Sequence, residues 1–86
     1  MISKEITVNC PIGLLVKPAG IVCQQAVNYK SKITLEYEGG TANAKSMLSV
    51  LGASIKDADA VTIVCEGPDE QTALEEMTEL LTKQLM

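Results

Sequence analysis

The feature that most limits the fold is a repeated change of period along the chain. Ile2, Lys4, Ile6 and Val8 alternate with Ser3, Glu5, Thr7 and Asn9, the period of two that lays one face of a strand on a core. Cys10-Pro11-Ile12-Gly13 interrupts it as a loop. Pro18 then suits a first helical turn, where its missing N–H has no partner to lose. Ala19, Val22, Cys23, Ala26 and Val27 follow at helical spacing and form one apolar stripe. Gly20 sits inside that helix at a cost of roughly 1 kcal/mol relative to alanine. Polar residues at 28–32 end it.

The period returns to two at Ile33, Leu35 and Tyr37. Gly39-Gly40 signals a hairpin into a short strand over residues 41–44. Ser46 is a good N-cap for a short helix carrying Met47, Leu48, Val50 and Leu51. Val61, Ile63 and Cys65 mark a fourth strand, and Gly67-Pro68 turns the chain. Asp69 is the expected N-cap of a last helix whose stripe is Ala73, Leu74, Met77, Leu80, Leu81 and Leu85. Glu70, Glu75, Glu76 and Glu79 lie largely off that stripe, and those early in the helix suit its dipole.

The order βαββαβα predicts a single α+β domain over residues 1–86, with three helices on one face of a mostly antiparallel four-stranded sheet. Only Tyr29 and Tyr37 are aromatic, so the core must be built from Ile, Leu, Val, Met and Ala.

Charge narrows the function. Seven lysines, no arginine and eleven acids give a net charge of −4. That balance argues against nucleic acid, whose phosphates need a basic patch, and against an anionic membrane surface. No segment reaches transmembrane length. Met1-Ile2-Ser3-Lys4-Glu5 is not the apolar run of a signal peptide, so the expected compartment is the cytoplasm. Cys10, Cys23 and Cys65 are scattered and odd in number, which does not describe a disulfide framework. With no histidine in the chain a zinc site is not expected, and no cofactor is implied.

Two stretches carry a resemblance. Pro11-Ile12-Gly13-Leu14-Leu15-Val16-Lys17-Pro18-Ala19 resembles the active-site signature of the histidine-containing phosphocarrier (HPr) family, roughly P-x-G-L-H-A-R-P-A. Asn43-Ala44-Lys45-Ser46-Met47-Leu48 resembles the second family signature, N-A-K-S-I-M, and the spacing between the two matches without a gap. Ala60 to Glu66 and then Gly67-Pro68-Asp69-Glu70 are similar to the family's fourth strand and final turn. The resemblance implies the family fold, an open-faced β-sandwich, and a carrier or binding protein rather than an enzyme.

It also exposes departures. The family's phosphorylated histidine aligns with Leu15 and its arginine partner with Lys17, while Ile12 replaces a polar loop residue. Gly52 comes early and Ser54 stands where the family usually has glycine. Leucine has no lone pair with which to attack phosphorus, so no catalytic residue remains at that position. Lys17 keeps one positive charge for residual anion binding, without arginine's bidentate fork. Ser46 matches the family's regulatory phosphorylation site, and a phosphate at a helix N-terminus is well placed. Met47, Leu48 and Leu51 match the surface on which family members dock partners, and the family geometry would set Ile12, Leu15 and Val16, an apolar run where the family is partly polar, beside them as one partner surface.

The implied function is an HPr-like, non-transferring regulatory or binding protein, similar to the catabolite-repression branch that lacks the histidine and keeps the serine. The implied partners are an HPr kinase and a transcriptional regulator or metabolic enzyme. Two alternatives stand beside it: a phosphocarrier that uses another acceptor such as Cys10, and a module that self-associates through the apolar surface without phosphorylation.

Overall fold

The computed structural model describes residues 1–83. Its elements run β1 (Ile2–Thr7), α1 (Val16–Ala26), β2 (Lys32–Tyr37), β3 (Gly40–Asn43), α2 (Met47–Gly52), β4 (Ala60–Glu66) and α3 (Glu70–Thr82). This is the βαββαβα order read from the periodicity. The sheet order is β1-β4-β2-β3, and each of the three pairings is antiparallel. Ile6 lies opposite Val61, Ile33 opposite Cys65, Leu35 opposite both Ile63 and Ala42. These residues form one buried face beneath the helices, with Ala19, Val22 and Ala26 from α1, Val50 from α2, and Ala73, Met77 and Leu81 from α3. Ser3, Thr34, Thr62 and Val64 belong to the other, open face, where each keeps some exposure.

Several local expectations are corrected. The third strand begins and ends one residue earlier than 41–44, because Tyr37 pairs with Gly40 and leaves Glu38-Gly39 as the hairpin loop. Val27 is the C-cap of α1 and is exposed rather than part of the stripe, since the helix stops before completing that turn. Lys4 shares the face of Ile6 yet stays exposed, and Ile2 is half-buried, so the edge strand is covered at one end only. Leu85 falls outside the described residues.

The largest correction concerns Asp69. It occupies the N-cap position of α3, but its side chain caps nothing there. Its carboxylate instead accepts hydrogen bonds from the backbone N–H groups of Lys30 and Ser31, both at 2.9 Å, and from the Ser31 hydroxyl. Gly67 makes this possible. Its φ is +154°, and a β-carbon there would stand 2.6 Å from Ser31 Cα. The turn before α3 is thus pressed against the loop between α1 and β2, and Asp69 ties the two together. The first turn of α3 is closed by Glu70, whose Oε1 accepts from Gly67 N at 3.1 Å. Met1's amino group lies 3.2 Å from the same carboxylate.

The three bonds, with the Ser31 hydroxyl first, hold Asp69 down to about 2, against an ordinary value of 3.8. A carboxyl depressed in the folded state contributes stability that is complete above its ordinary value and is lost as pH falls through the folded value. Asp69→Asn should therefore be less stable than the parent at neutral pH. The gap should close between about pH 4 and pH 2, measured by urea unfolding at several pH values. A gap of constant size across that range would show that the charge on Asp69 contributes nothing.

Candidate partner-binding face

The candidate face begins where β1 runs into the loop before α1. Leu14 is buried and anchors that loop, while Leu15 is turned outward and is 59% exposed. Leu15 is the N-cap residue of α1, with φ −83° and ψ −167°, and no side chain caps the helix. Its carbonyl accepts from Ala19 N at 2.8 Å. The first turn of α1 contains no acidic residue, and Lys17 is exposed on it. A helix start of this kind, uncapped and with a cation beside it, is hospitable to an anion in general terms.

The structure brings the apolar residues together in two groups. Ile12, Leu15 and Leu51 line one hollow of about 280 Å³, together with Ser54, Ile55 and Lys56. Met47 belongs to the second group: its Cε would lie 3.8 Å from a β-carbon on Gly20. Val16 is one helical turn before Gly20 and so shares its face. Ile12, Val16 and Leu48 are exposed, and Met47 and Leu51 are half-buried. Gly20 therefore faces Met47 of α2, with room for a β-carbon at ordinary contact distance. Periodicity registered it as a weakness of the helix.

Ser46 does cap α2. Its Oγ accepts from Ser49 N at 3.2 Å, and Ser49 Oγ in turn accepts from Asn43 N at 2.9 Å. Lys45, the residue before Ser46, is committed elsewhere. Lys45 Nζ donates to the Tyr29 carbonyl at 2.6 Å, and the Cys23 thiol donates to the Lys45 carbonyl at 3.1 Å. Cys10 lies close to the face in sequence but not on the surface. Its thiol is fully buried and donates to Gly13 O at 3.1 Å. A phosphoryl donor has no access to that sulfur in this conformation, which counts against the acceptor role considered for it.

The fold and this face describe a small carrier-type domain whose helix-start site has no acceptor of the usual kind. The family model described as the PTS HPr component phosphorylation site matches residues 2–83, and the chain belongs to the HPr family of the sugar phosphotransferase system. It is 32% identical over 84 residues to the HPr-like protein Crh of Halalkalibacterium halodurans, covering 98% of this chain and 100% of that one. A crystal structure of the phosphocarrier protein HPr from Bacillus anthracis superposes with a TM-score of 0.89 at 31% identity, covering 93% of this chain and 95% of that one. The crystal structure of Crh from Bacillus subtilis, a dimer with a swapped domain, superposes with a TM-score of 0.79 at 29% identity, covering 100% and 99%.

Leu15 is the residue on which the face can be tested. Burying its side chain against a partner is worth up to about 1.5–3 kcal/mol. Leu15→Asp should weaken association sharply without unfolding the protein. Aspartate is a favoured N-cap, and the backbone here is already extended, so the melting temperature should hold or rise. Sedimentation and thermal melts decide it: a large loss of stability with no change in association would make Leu15 a core residue.

Proposed function

We propose that residues 1–86 form a single HPr-like domain that regulates by binding and does not carry phosphate from a histidine. The observation that carries this reading is the outward-facing Leu15 at the family's histidine position in a chain with no histidine. Phosphoryl relay needs a nucleophile at the reacting centre, and a leucine cannot be one. The similarity to Crh supports the regulatory reading, since the Bacillus subtilis relative is described as a catabolite repression protein.

Ser46 is the proposed point of control, modified by an HPr kinase, with a transcriptional regulator or metabolic enzyme as the protein that responds. A phosphate there adds nearly two negative charges at the start of α2, next to the apolar face, where it changes what can dock. Lys17 is the proposed residual anion contact. Ile12, Leu15, Val16, Met47, Leu48 and Leu51 are the proposed docking residues, and the proposed compartment is the cytoplasm. A second reading, self-association, is favoured by the dimeric form of the Bacillus subtilis relative.

With phosphoenolpyruvate and the general upstream enzyme of the system, the protein should gain no acid-labile phosphate. Leu15→His combined with Lys17→Arg should recover part of the acceptance, short of a true carrier, because small misplacements at a reacting centre cost large rate factors. A stoichiometric phosphate on the parent protein, read by mass, would refute the proposal. Transfer lost in Cys10→Ser would then locate the acceptor.

The regulatory half has its own test. Ser46→Ala should abolish modification by an HPr kinase and cost about 0.5–2 kcal/mol of stability through the lost cap. Phosphate that persists on the alanine variant would place the site elsewhere. Partner binding that is identical with and without phosphate would remove the switch.

A further inference from the structure

The segment that carries Ile12 and Leu15 exposes its tip, for Pro11, Ile12 and Leu15 all face solvent. Buried Leu14 anchors it from within, Asn9 N donates to Leu81 O at the end of α3 at 2.9 Å, and the rest of its support comes from the connection between α2 and β4, residues 53–59. Leu14 N donates to Ile55 O, Val8 N donates to Asp59 O, and Ala58 N donates back to Val8 O, each at 2.9 Å. Gly13 sits so close that a β-carbon on it would stand 3.2 Å from Ile55 O. These contacts are backbone to backbone, and many sequences could supply them. One further bond uses a side chain: Cys10 N donates to Asp57 Oδ1 at 2.9 Å.

Cys10 is the base of a tight turn. Its carbonyl accepts from Gly13 N at 2.7 Å and its buried thiol donates to Gly13 O. Pro11 and Ile12 are the tip. A carboxylate that fixes the base therefore fixes the direction of the tip. The connection itself has an unusual backbone, with Ser54 at φ +54° and Ala58 at φ +70°. Residues with a β-carbon enter that left-handed region rarely, and such conformations persist where the surroundings over-determine them. The two flank Ile55 and Asp57, the residues that supply the carbonyl and the carboxylate.

We propose that Asp57 is a positioning residue for the partner-binding face: its carboxylate, carried on the connection between two left-handed residues, sets the orientation of the turn that presents Ile12 and Leu15. The inference rests on the reading of that face as the docking surface, but its test needs no partner.

The test is amide hydrogen exchange and NMR on single variants. Asp57→Ala should speed exchange at Cys10 and Leu14 by roughly tenfold or more, as the loss of a charge-assisted bond at a turn base implies. The resonances of Ile12 and Leu15 should shift with it. Asp57→Asn keeps an acceptor oxygen and should restore both towards the parent. Ala73→Gly, which destabilises α3 away from the turn, is the control and should leave these local signals alone. The proposal is overturned if Asp57→Ala leaves Cys10 exchange unchanged, if asparagine does no better than alanine, or if Ala73→Gly reproduces the pattern. Failure of the docking reading would appear instead in the sedimentation of Leu15→Asp, with the exchange result unaffected.

Discussion

The pairing of β4 with both β1 and β2 is the constraint on which the rest of the molecule depends. β4 joins distant parts of the chain, meeting residues 2–7 on one side and 32–36 on the other. Its alternate residues Val61, Ile63 and Cys65 are buried at the centre of the sheet. A slip of one residue would turn that row to solvent and set Thr62 and Val64 against the helices. The register also decides where β4 begins, and hence how residues 53–59 meet residues 8–14. The candidate face is therefore held through the sheet, although none of its residues lies in a strand. Cys65 is fully buried there, and burial is the main cause of its raised pKa.

Much of the fold was legible because a period survives local noise. The alternations at Ile33, Leu35 and Tyr37 and at Val61, Ile63 and Cys65 identified their strands, and the stripe of Ala73, Met77 and Leu81 identified the last helix. What stayed hidden were contacts between residues far apart in sequence. Nothing around Asp69 says that its carboxylate will leave its own helix for Ser31, 38 residues away. The sequence pattern at its position is that of a cap, and a cap is a local inference. Val27 continued a helical stripe in sequence, but Tyr29 draws the chain inward two residues later, where its hydroxyl meets Gln25 and Glu76.

The candidate face divides in the same way. Its membership came from motif spacing, and its exposure followed from what a helix start must do. The hollow shared by Ile12, Leu15 and Leu51 depends on the turn at Gly13 and on the left-handed backbone at Ser54. Ser54 stood out in the sequence as a serine in the place of a glycine. In the structure Ser54 lies at φ +54°, the left-handed region that favours glycine. Cys10 shows the opposite limit. Proximity in sequence suggested proximity to the surface, and the turn folded the sulfur inward instead.

The open face of the sheet has a practical consequence. Thr34 and Thr62 point away from α1 and α2, while Cys10 and Cys65 are buried and Cys23 is half-buried against the Lys45 carbonyl. A cysteine installed at Thr62 would meet an alkylating reagent ahead of the two buried native thiols. A dye, a resin or a sensor surface joined there would stand on the far side of the sheet from Leu15. The molecule thus has a natural handle, and a protein tethered by it would present its helices outward to anything offered in solution.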